Sequence, residues 1–223
     1  LLLAKQLLTE TVWPMTEVAY ASGFSSLRRF NDAFRRRYGM PPTRLRKKAT
    51  DSAVAIGEHE TSMLLLSYRP PYDWNGVLAF LGARALAGVE HVTDSSYART
   101  VQIGKAKGWL RVTQSTKKPH ALLVEFTHSL TPVLPALLGR VRALFDLDAR
   151  PDVIARRLRR DARLARSVRA NPGLRVPGAF SGFELGLRAI LGQQVTVKAA
   201  TTIAGRFVKT FGEPIVTPLP ELN

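Results

Sequence analysis

Hydrophobic residues along this chain recur at two different spacings, and the spacing changes close to Met63. In residues 1–48 apolar positions recur every three to four residues, which is typical of amphipathic helices. From Met63 to Phe126 short apolar runs alternate with turn residues, which is typical of strands. After Pro132 the helical spacing returns. The pattern therefore predicts a helical unit, a strand-rich unit and a second helical unit.

The elements follow from these spacings. Strands are predicted at Leu64–Tyr68, Ala98–Ile103, Trp109–Thr113 and Ala121–Phe126. One helix lies among the strands and extends from its N-cap Asp73 to about Leu86. Later helices are predicted at 133–146, 151–168, 182–192 and 196–211. Residues 49–62 lack periodicity and aromatic side chains, so they are predicted to be a linker.

The first unit contains the pattern of two short helices joined by a glycine turn. Gly23 can adopt the left-handed conformation that ends one helix, and Ser25 is predicted to cap the next. That next helix has an apolar stripe formed by Leu27, Phe30, Phe34 and Tyr38. The arrangement predicts a helix-turn-helix, whose second helix enters the major groove of DNA. The alternative is a helical hairpin with a solvated basic face.

The face opposite the apolar stripe is basic and predicts contacts with DNA. Arginine can bind guanine through two hydrogen bonds, and asparagine can bind adenine in the same way. The candidate DNA-binding residues of this helix and its turn are Ser25, Ser26, Arg28, Arg29, Asn31, Asp32, Arg35 and Arg36. The basic residues expected to bind nearby phosphates are Arg44, Arg46, Lys47 and Lys48.

The overall charge makes nucleic acid the expected partner. Among 223 residues there are 33 Lys and Arg against 17 Asp and Glu, a formal net charge of +16. The absence of cysteine excludes a disulfide scaffold, a thiolate zinc site and a cysteine nucleophile within these residues. The four histidines lack metal-ligand spacing, so no metal and no cofactor is expected. Because no apolar stretch could span a bilayer, we expect no membrane contact and a cytoplasmic, nucleoid-associated protein.

Two further basic features each allow two interpretations. Arg99 could bind a phosphate or be an ordinary arginine on the surface of a strand. Seven arginines crowd the next helical region and could form a solvated face or contact DNA directly: Arg156, Arg157, Arg159, Arg160, Arg163, Arg166 and Arg169.

Specific motifs in the first unit resemble a known family. Gly23-Phe24, Phe30, Phe34, Tyr38-Gly39, Pro42 and Arg46 resemble the last helix-turn-helix of AraC/XylS-type transcriptional regulators. Leu27–Phe34 and Tyr38–Pro42 are especially similar to the Ada-type alkylation-response regulators. The resemblance implies that residues 1–48 are the second of two helix-turn-helix units. The first unit and a cysteine-rich, zinc-bearing methyl-acceptor module are then expected upstream of Leu1.

A second resemblance covers the rest of the chain. Tyr68–Trp74 resembles the opening of AlkA-type 3-methyladenine DNA glycosylases. The likeness continues through Ala83–Ala85, Ser96–Arg99, Leu144–Leu147, Pro172–Gly178 and Arg188–Val195. It implies an α+β fold, with an antiparallel-sheet AlkA N-terminal-like domain at 63–176. Residues 177–223 are then the first helices of a helix-hairpin-helix glycosylase domain.

Gly192-Gln193-Gln194-Val195 is a polar break between two predicted helices. In glycosylases of this type the matching loop faces the minor groove, where a side chain fills the space left by the extruded nucleotide. Gln193 and Gln194 are therefore candidate DNA contacts. Glutamine is polar where some relatives carry an apolar wedge, so Gln194 could hydrogen-bond the widowed base. The alternative is that the two glutamines cap the following helix.

The resemblance implies a catalytic aspartate that no residue of this chain matches. Such a carboxylate stabilises an oxocarbenium ion or activates water, and it is expected beyond Asn223, after a phosphate-binding hairpin. Four aspartates that precede Gln193 are expected to be helix caps and surface charges: Asp146, Asp148, Asp152 and Asp161.

Together the two resemblances imply an alkylation-response regulator fused to DNA-3-methyladenine glycosylase II, which hydrolyses the N-glycosidic bond of alkylated purines. This chain is expected to bind double-stranded promoter and alkylated DNA, with RNA polymerase as a further partner, and to release no base. The alternative is a non-enzymatic, sequence-specific regulator with a degenerate glycosylase-like module. A basic RNA-binding protein is disfavoured because no RNA-module aromatic signature is present.

Overall fold

The first part of the chain is a four-helix unit. The computed structural model describes residues 1–10, 13–49 and 61–222. The unit consists of α1 (Leu2–Glu10), α2 (Met15–Ala21), α3 (Leu27–Tyr38) and α4 (Pro42–Ala49). Helix α1 packs on α2 and α4, and α3 packs on the same two helices. The predicted apolar stripe supplies the core, since Phe30 and Phe34 are inaccessible to solvent.

An antiparallel sheet follows. Its strands are β1 (Thr61–Ser67), β2 (Glu90–Val92), β3 (Ser96–Ile103), β4 (Ala106–Gln114) and β5 (Ala121–Thr127). They lie in the order β1-β5-β4-β3-β2, with every neighbouring pair antiparallel. The sequence pattern did not predict β2, which is only 3 residues long. The fold is α+β, as the sequence predicts.

A helix and a strand extend into the two ends of the predicted linker, residues 49–62. Ala49 belongs to α4, while Thr61 and Ser62 already pair with β5 as part of β1. Residues 50–60 of that linker lie outside the described residues. Ser62 is buried at the edge of the sheet core.

Helices surround the sheet and complete the chain. Helix α5 (Trp74–Gly82) begins at Asp73, whose carboxylate accepts a 2.9 Å hydrogen bond from the Gly76 amide. A 3₁₀ helix (His128–Val133) leads into the later helices. These are α6 (Leu134–Leu144), α7 (Pro151–Leu158), α8 (Ala162–Ala170), α9 (Gly182–Leu191) and α10 (Val197–Phe211).

One helix predicted at residues 151–168 is in fact two. The chain bends after Leu158, and Asp161 adopts an extended conformation there. Its carboxylate accepts a hydrogen bond from the Arg163 amide at 2.9 Å and so begins α8. No glycine or proline marks this break, which is why periodicity alone missed it. The predicted helix from Asp73 to about Leu86 also ends earlier, at Gly82.

The helical unit and the sheet share a continuous hydrophobic core. Trp13, between α1 and α2, is buried and packs edge-on against Phe126 of β5 with ring centroids 6.2 Å apart. On β3, Tyr97 packs against Phe145, which in turn contacts Trp74 of α5. The sheet therefore connects the N-terminal helices to the later ones.

Candidate nucleic-acid interface

Two glycines and a serine determine where α3 begins and ends. Gly23 has a φ of +85° in the turn after α2, and the amides of Gly23 and Phe24 donate to carbonyls of that helix. Ser26 is the N-cap of α3, and its hydroxyl accepts from the Arg29 amide at 3.3 Å. Gly39 ends the helix with a φ of +66°. The predicted glycine turn is therefore present.

The N-cap of α3 corrects one sequence-based assignment. Ser25 was predicted to cap α3, but Ser26 does so, and Ser25 is exposed in the preceding turn. Ser26 has the extended backbone that an N-cap needs, with φ −154° and ψ 146°. Ser25 thus remains accessible to a ligand, whereas the Ser26 side chain is engaged with its own helix.

The outer face of α3 carries several exposed arginines and one exposed acid, Asp32. Its apolar face packs inward through Phe30 and Phe34, whose rings lie 5.7 Å apart. The exposed arginines of the helix are Arg28, Arg29, Arg35, Arg36 and Arg37. In the part of the chain that the structure describes, no acidic side chain forms an ion pair with any of them. Their guanidinium groups are thus available to an anionic ligand.

The other predicted contacts on this unit differ in exposure. Asp32 is exposed and Asn31 is half-buried on α3. On α4, Arg44 is exposed, but Arg46 is half-buried, and burial lowers the pKa of its guanidinium. The side chains of Lys47 and Lys48 lie outside the described residues. Arg44 is therefore better placed than Arg46 to reach a phosphate.

The two predicted glutamines lie together in the turn between α9 and α10. Both side chains are exposed, and Gln194 has a φ of +59°. A left-handed conformation is uncommon for a residue other than glycine and is often found at functional sites. The alternative that the glutamines cap α10 is wrong, because the hydroxyl of Thr196 accepts from the Ala199 amide at 3.2 Å. A cavity of about 200 Å³, lined by Gly192 and Val195 among others, opens beside the turn.

Buried ion pairs fix α9, and with it the glutamine turn, onto the sheet. Arg99 of β3 is only 2% exposed, and its guanidinium lies 2.5 Å from Glu184 of α9 and 3.9 Å from Glu90. Arg188 of α9 also pairs with Glu90. Arg99 lies over the Phe180 ring at 3.9 Å. Both earlier interpretations of Arg99 are therefore wrong, since it lies neither on the strand surface nor within reach of a phosphate.

This network keeps its arginine charged. Burial acts to lower the pKa of Arg99, but the carboxylates of Glu184 and Glu90 raise it above its ordinary value. Burial also raises the pKa of Tyr97 well above its usual range, so its hydroxyl stays protonated and donates to Glu90 at 2.7 Å. No local pattern in the sequence indicates this network, because its members come from distant segments. Glu184 is 85 residues from Arg99.

The four aspartates considered in the sequence have structural partners. Asp161 caps α8, Asp152 lies 3.6 Å from Arg150, and Asp148 pairs with Arg142. Hydrogen bonds from Arg142 lower the pKa of Asp148. Asp146 has a φ of +50° and lies 3.5 Å from the amide of Val176. These roles agree with caps and surface charges.

Neither a metal site nor a membrane-spanning helix is found among residues 1–10, 13–49 and 61–222. Within those ranges, no three His, Asp or Glu side chains are grouped to hold a metal ion. No helix in the same ranges has the length and apolar character needed to span a bilayer.

Comparisons with known proteins match both parts of the chain. Residues 63–181 match the AlkA N-terminal domain, and residues 1–48 match a helix-turn-helix domain. Over 217 residues the chain is 38% identical to a Mycobacterium tuberculosis (H37Rv) protein named "Probable bifunctional transcriptional activator/DNA repair enzyme AlkA". That match covers 95% of this chain and 42% of the relative.

Two further similarities concern the sheet-containing part. The chain is 38% identical over 151 residues to DNA-3-methyladenine glycosylase 2 of Escherichia coli K12, covering 68% of this chain and 51% of that protein. A 3-methyladenine DNA-glycosylase structure from Archaeoglobus fulgidus superimposes with a TM-score of 0.59 at 18% identity, over 69% of this chain and 52% of that one. The structural match shows a common fold. The chain spans about half the length of the curated relatives it matches.

Proposed function

The chain belongs to the family defined by the AlkA N-terminal domain, and on that premise we propose that it is part of a transcriptional regulator fused to a DNA repair glycosylase. The whole protein binds promoter DNA through its helix-turn-helix and hydrolyses the N-glycosidic bond of alkylated purines such as 3-methyladenine. It works in the cytoplasm at the nucleoid. As an activator, it contacts RNA polymerase at the promoter.

The exposed arginine face of α3 is the observation that carries this proposal. A helix of 12 residues, capped at both ends and packed through its phenylalanines, presents a rigid surface to the major groove. Arg28 and Arg29 lie in its first turn, where a recognition helix contacts base edges. A guanidinium there discriminates guanine through two parallel hydrogen bonds. Phosphate contacts from Arg44 fix the register of the helix on the duplex.

The glutamine turn contributes to the repair function of the whole protein. A glycosylase extrudes its target nucleotide, and the vacated space in the stack must be filled or bridged. Gln194 is exposed and can hydrogen-bond the base opposite the gap. The buried pairs of Arg99 and Arg188 hold α9 in place. The carboxylate that completes the chemistry is not among these residues, so this chain binds DNA without releasing a base.

The regulatory half of the proposal is tested by selecting preferred sites from a random duplex library with the 223-residue chain. We expect a defined sequence for the wild type. The R28A/R29A variant should lose the site preference at least tenfold while retaining weak binding to any duplex. K105Q/K117Q, which removes two exposed charges elsewhere, should keep the preference. If R28A/R29A still selects the wild-type site, the assignment of α3 is wrong.

The repair half is tested by incubating methylated duplex DNA with the same chain and measuring released 3-methyladenine by chromatography. We expect release equal to the protein-free blank. Detectable release above that blank would show that the catalytic carboxylate lies within these 223 residues. As a positive control, DNA-3-methyladenine glycosylase 2 of Escherichia coli K12 should release the base under the same conditions.

A further inference from the structure

Helices α7 and α8 form a hairpin rich in arginine. Residues 151–170 contain seven arginines, no lysine and two acids, and all seven arginine side chains are exposed. Both acids are engaged locally. Asp152 lies 3.6 Å from Arg150, and Asp161 lies 2.9 Å from Arg163 while capping α8. We name residues 151–170 the arginine hairpin.

The other arginines of the hairpin form no ion pair with any residue that the structure describes. They are Arg156, Arg157, Arg159, Arg160, Arg166 and Arg169. Arg166 and Arg169 lie three residues apart on α8, so these neighbouring like charges repel each other. A face that served solubility alone would mix both signs. A repelling cluster of one sign therefore indicates an anionic ligand.

The hairpin lies on the outside of the molecule. Helix α7 buries none of its side chains, and α8 buries only Ala165. Its base is held firmly, because Arg69 donates to the carbonyl of Asp148 at 2.8 Å and Arg142 pairs with the Asp148 carboxylate. The arginines are thus presented from an anchored element, and a large ligand can reach them.

The chemistry of the hairpin favours a nucleic-acid backbone over a membrane or an acidic protein. The planar guanidinium of arginine binds phosphate through two parallel hydrogen bonds, which the ammonium of lysine cannot do. The hairpin has no Trp or Phe to anchor it in a lipid interface, and its exposed large apolar residues are Val153, Ile154, Leu158 and Leu164. Duplex DNA is also the proposed ligand of α3 in the same chain, so DNA bound there supplies a phosphate backbone close to the molecule.

We propose that the arginine hairpin is a second DNA-binding surface, which contacts the phosphate backbone without reading sequence. This inference rests on the proposed function, because it takes duplex DNA as the ligand. The arginine hairpin and α3 contribute differently to DNA binding. The hairpin supplies affinity and salt dependence, whereas α3 selects the site.

The test measures binding of a duplex of arbitrary sequence by fluorescence anisotropy over a series of salt concentrations. Each phosphate contact contributes about 0.9 to the slope of log K against log salt concentration. R156Q/R160Q should therefore flatten the slope by about 1.8 and weaken binding at low salt. R156K/R160K keeps both charges and should retain the slope. Circular dichroism should be unchanged, since both side chains are exposed.

The matched control is K105Q/K117Q, which removes the same charge from exposed turns of the sheet and should leave the slope unchanged. An equal flattening in both double variants would assign the effect to net charge and overturn the proposal. An unchanged slope in R156Q/R160Q would also overturn it. If R156Q/R160Q lost binding to phosphatidylserine vesicles but kept its binding to DNA, the hairpin would be assigned to a membrane and the proposal would be overturned.

The two proposals fail in different ways. If the wild-type chain binds no duplex, both are wrong. If R28A/R29A changes site preference while R156Q/R160Q leaves the salt slope unaltered, α3 keeps its role and only the hairpin proposal is wrong.

Discussion

At the residue scale, two arginines on neighbouring strands show how differently the same side chain can be used. Arg99 on β3 is 2% exposed and pairs with Glu184 and Glu90. Arg111 on β4 pairs with Glu125 across the sheet at 2.6 Å, but its side chain is 41% exposed. A buried charge depends on its partners far more than an exposed one, because water cannot replace them.

We expect R99M to lower the free energy of unfolding by about 3 kcal/mol, because it leaves Glu90 and Glu184 without that partner. This loss of stability lies near the lower end of the range for a broken buried ion pair, since Arg188 still pairs with Glu90. The control R150M, which removes the exposed pair with Asp152, should cost less than about 1 kcal/mol. Urea denaturation measures both. Equal losses would mean that the Arg99 network is no more stabilising than a surface pair.

At the element scale, side-chain caps define several helix starts. Ser26, Asp161, Ser181 and Thr196 each accept a hydrogen bond from a backbone amide in the first turn of the following helix. The amides of a first helical turn have no partner within the helix, so such caps contribute directly to stability. A difference of one position decides which residue is the cap, because Ser26 caps α3 and the adjacent Ser25 does not.

We expect S26A to lower the free energy of unfolding by about 1 kcal/mol, because the Arg29 amide loses its acceptor. S25A changes an exposed turn residue and should alter stability by less than about 0.5 kcal/mol. Thermal unfolding followed by circular dichroism measures the difference. The opposite ranking would identify Ser25 as the true cap of α3.

At the scale of the whole molecule, Trp13 joins the DNA-binding unit to the sheet. Its ring packs against Phe126 and lies 6.5 Å from the His128 ring. Glu17 of α2 lies 3.8 Å from His128, and Ser62 of β1 lies 3.5 Å from the same imidazole. These contacts give the unit that carries α3 a defined orientation relative to the sheet and its helices.

We expect W13A to lower the free energy of unfolding by about 3–5 kcal/mol and to separate one cooperative transition into two. The helical unit should melt first, because the truncation removes a buried aromatic contact between that unit and the sheet. W74A truncates a tryptophan inside the sheet-containing part and should lower the melting temperature without splitting the transition. Scanning calorimetry distinguishes the two. A single transition in W13A would show that other contacts couple the units.

Much of this protein is specified by short stretches of its sequence. The apolar spacing around Phe30 and Phe34, the glycine turn at Gly23 and the cap at Asp73 all act within a few residues, so the α+β class and most elements follow from local patterns. Motifs that resemble known families identified the helix-turn-helix and the AlkA N-terminal domain. The exposure of the α3 arginines was predictable too, because helical periodicity alone assigns them to the face opposite the core.

Only the tertiary structure decided which distant residues meet. Arg99 is buried because Glu184, far along the chain, comes to lie beside it, and Trp13 is buried because the helical unit packs on β5. The short strand β2 exists through its pairing with β3, not through its own pattern. Local propensity acts over one or two turns of chain, whereas burial and ion pairing depend on segments that folding alone brings together. The local sequence therefore determined most of the elements and the chemistry they carry, whereas the tertiary structure determined their partners and the short strand β2.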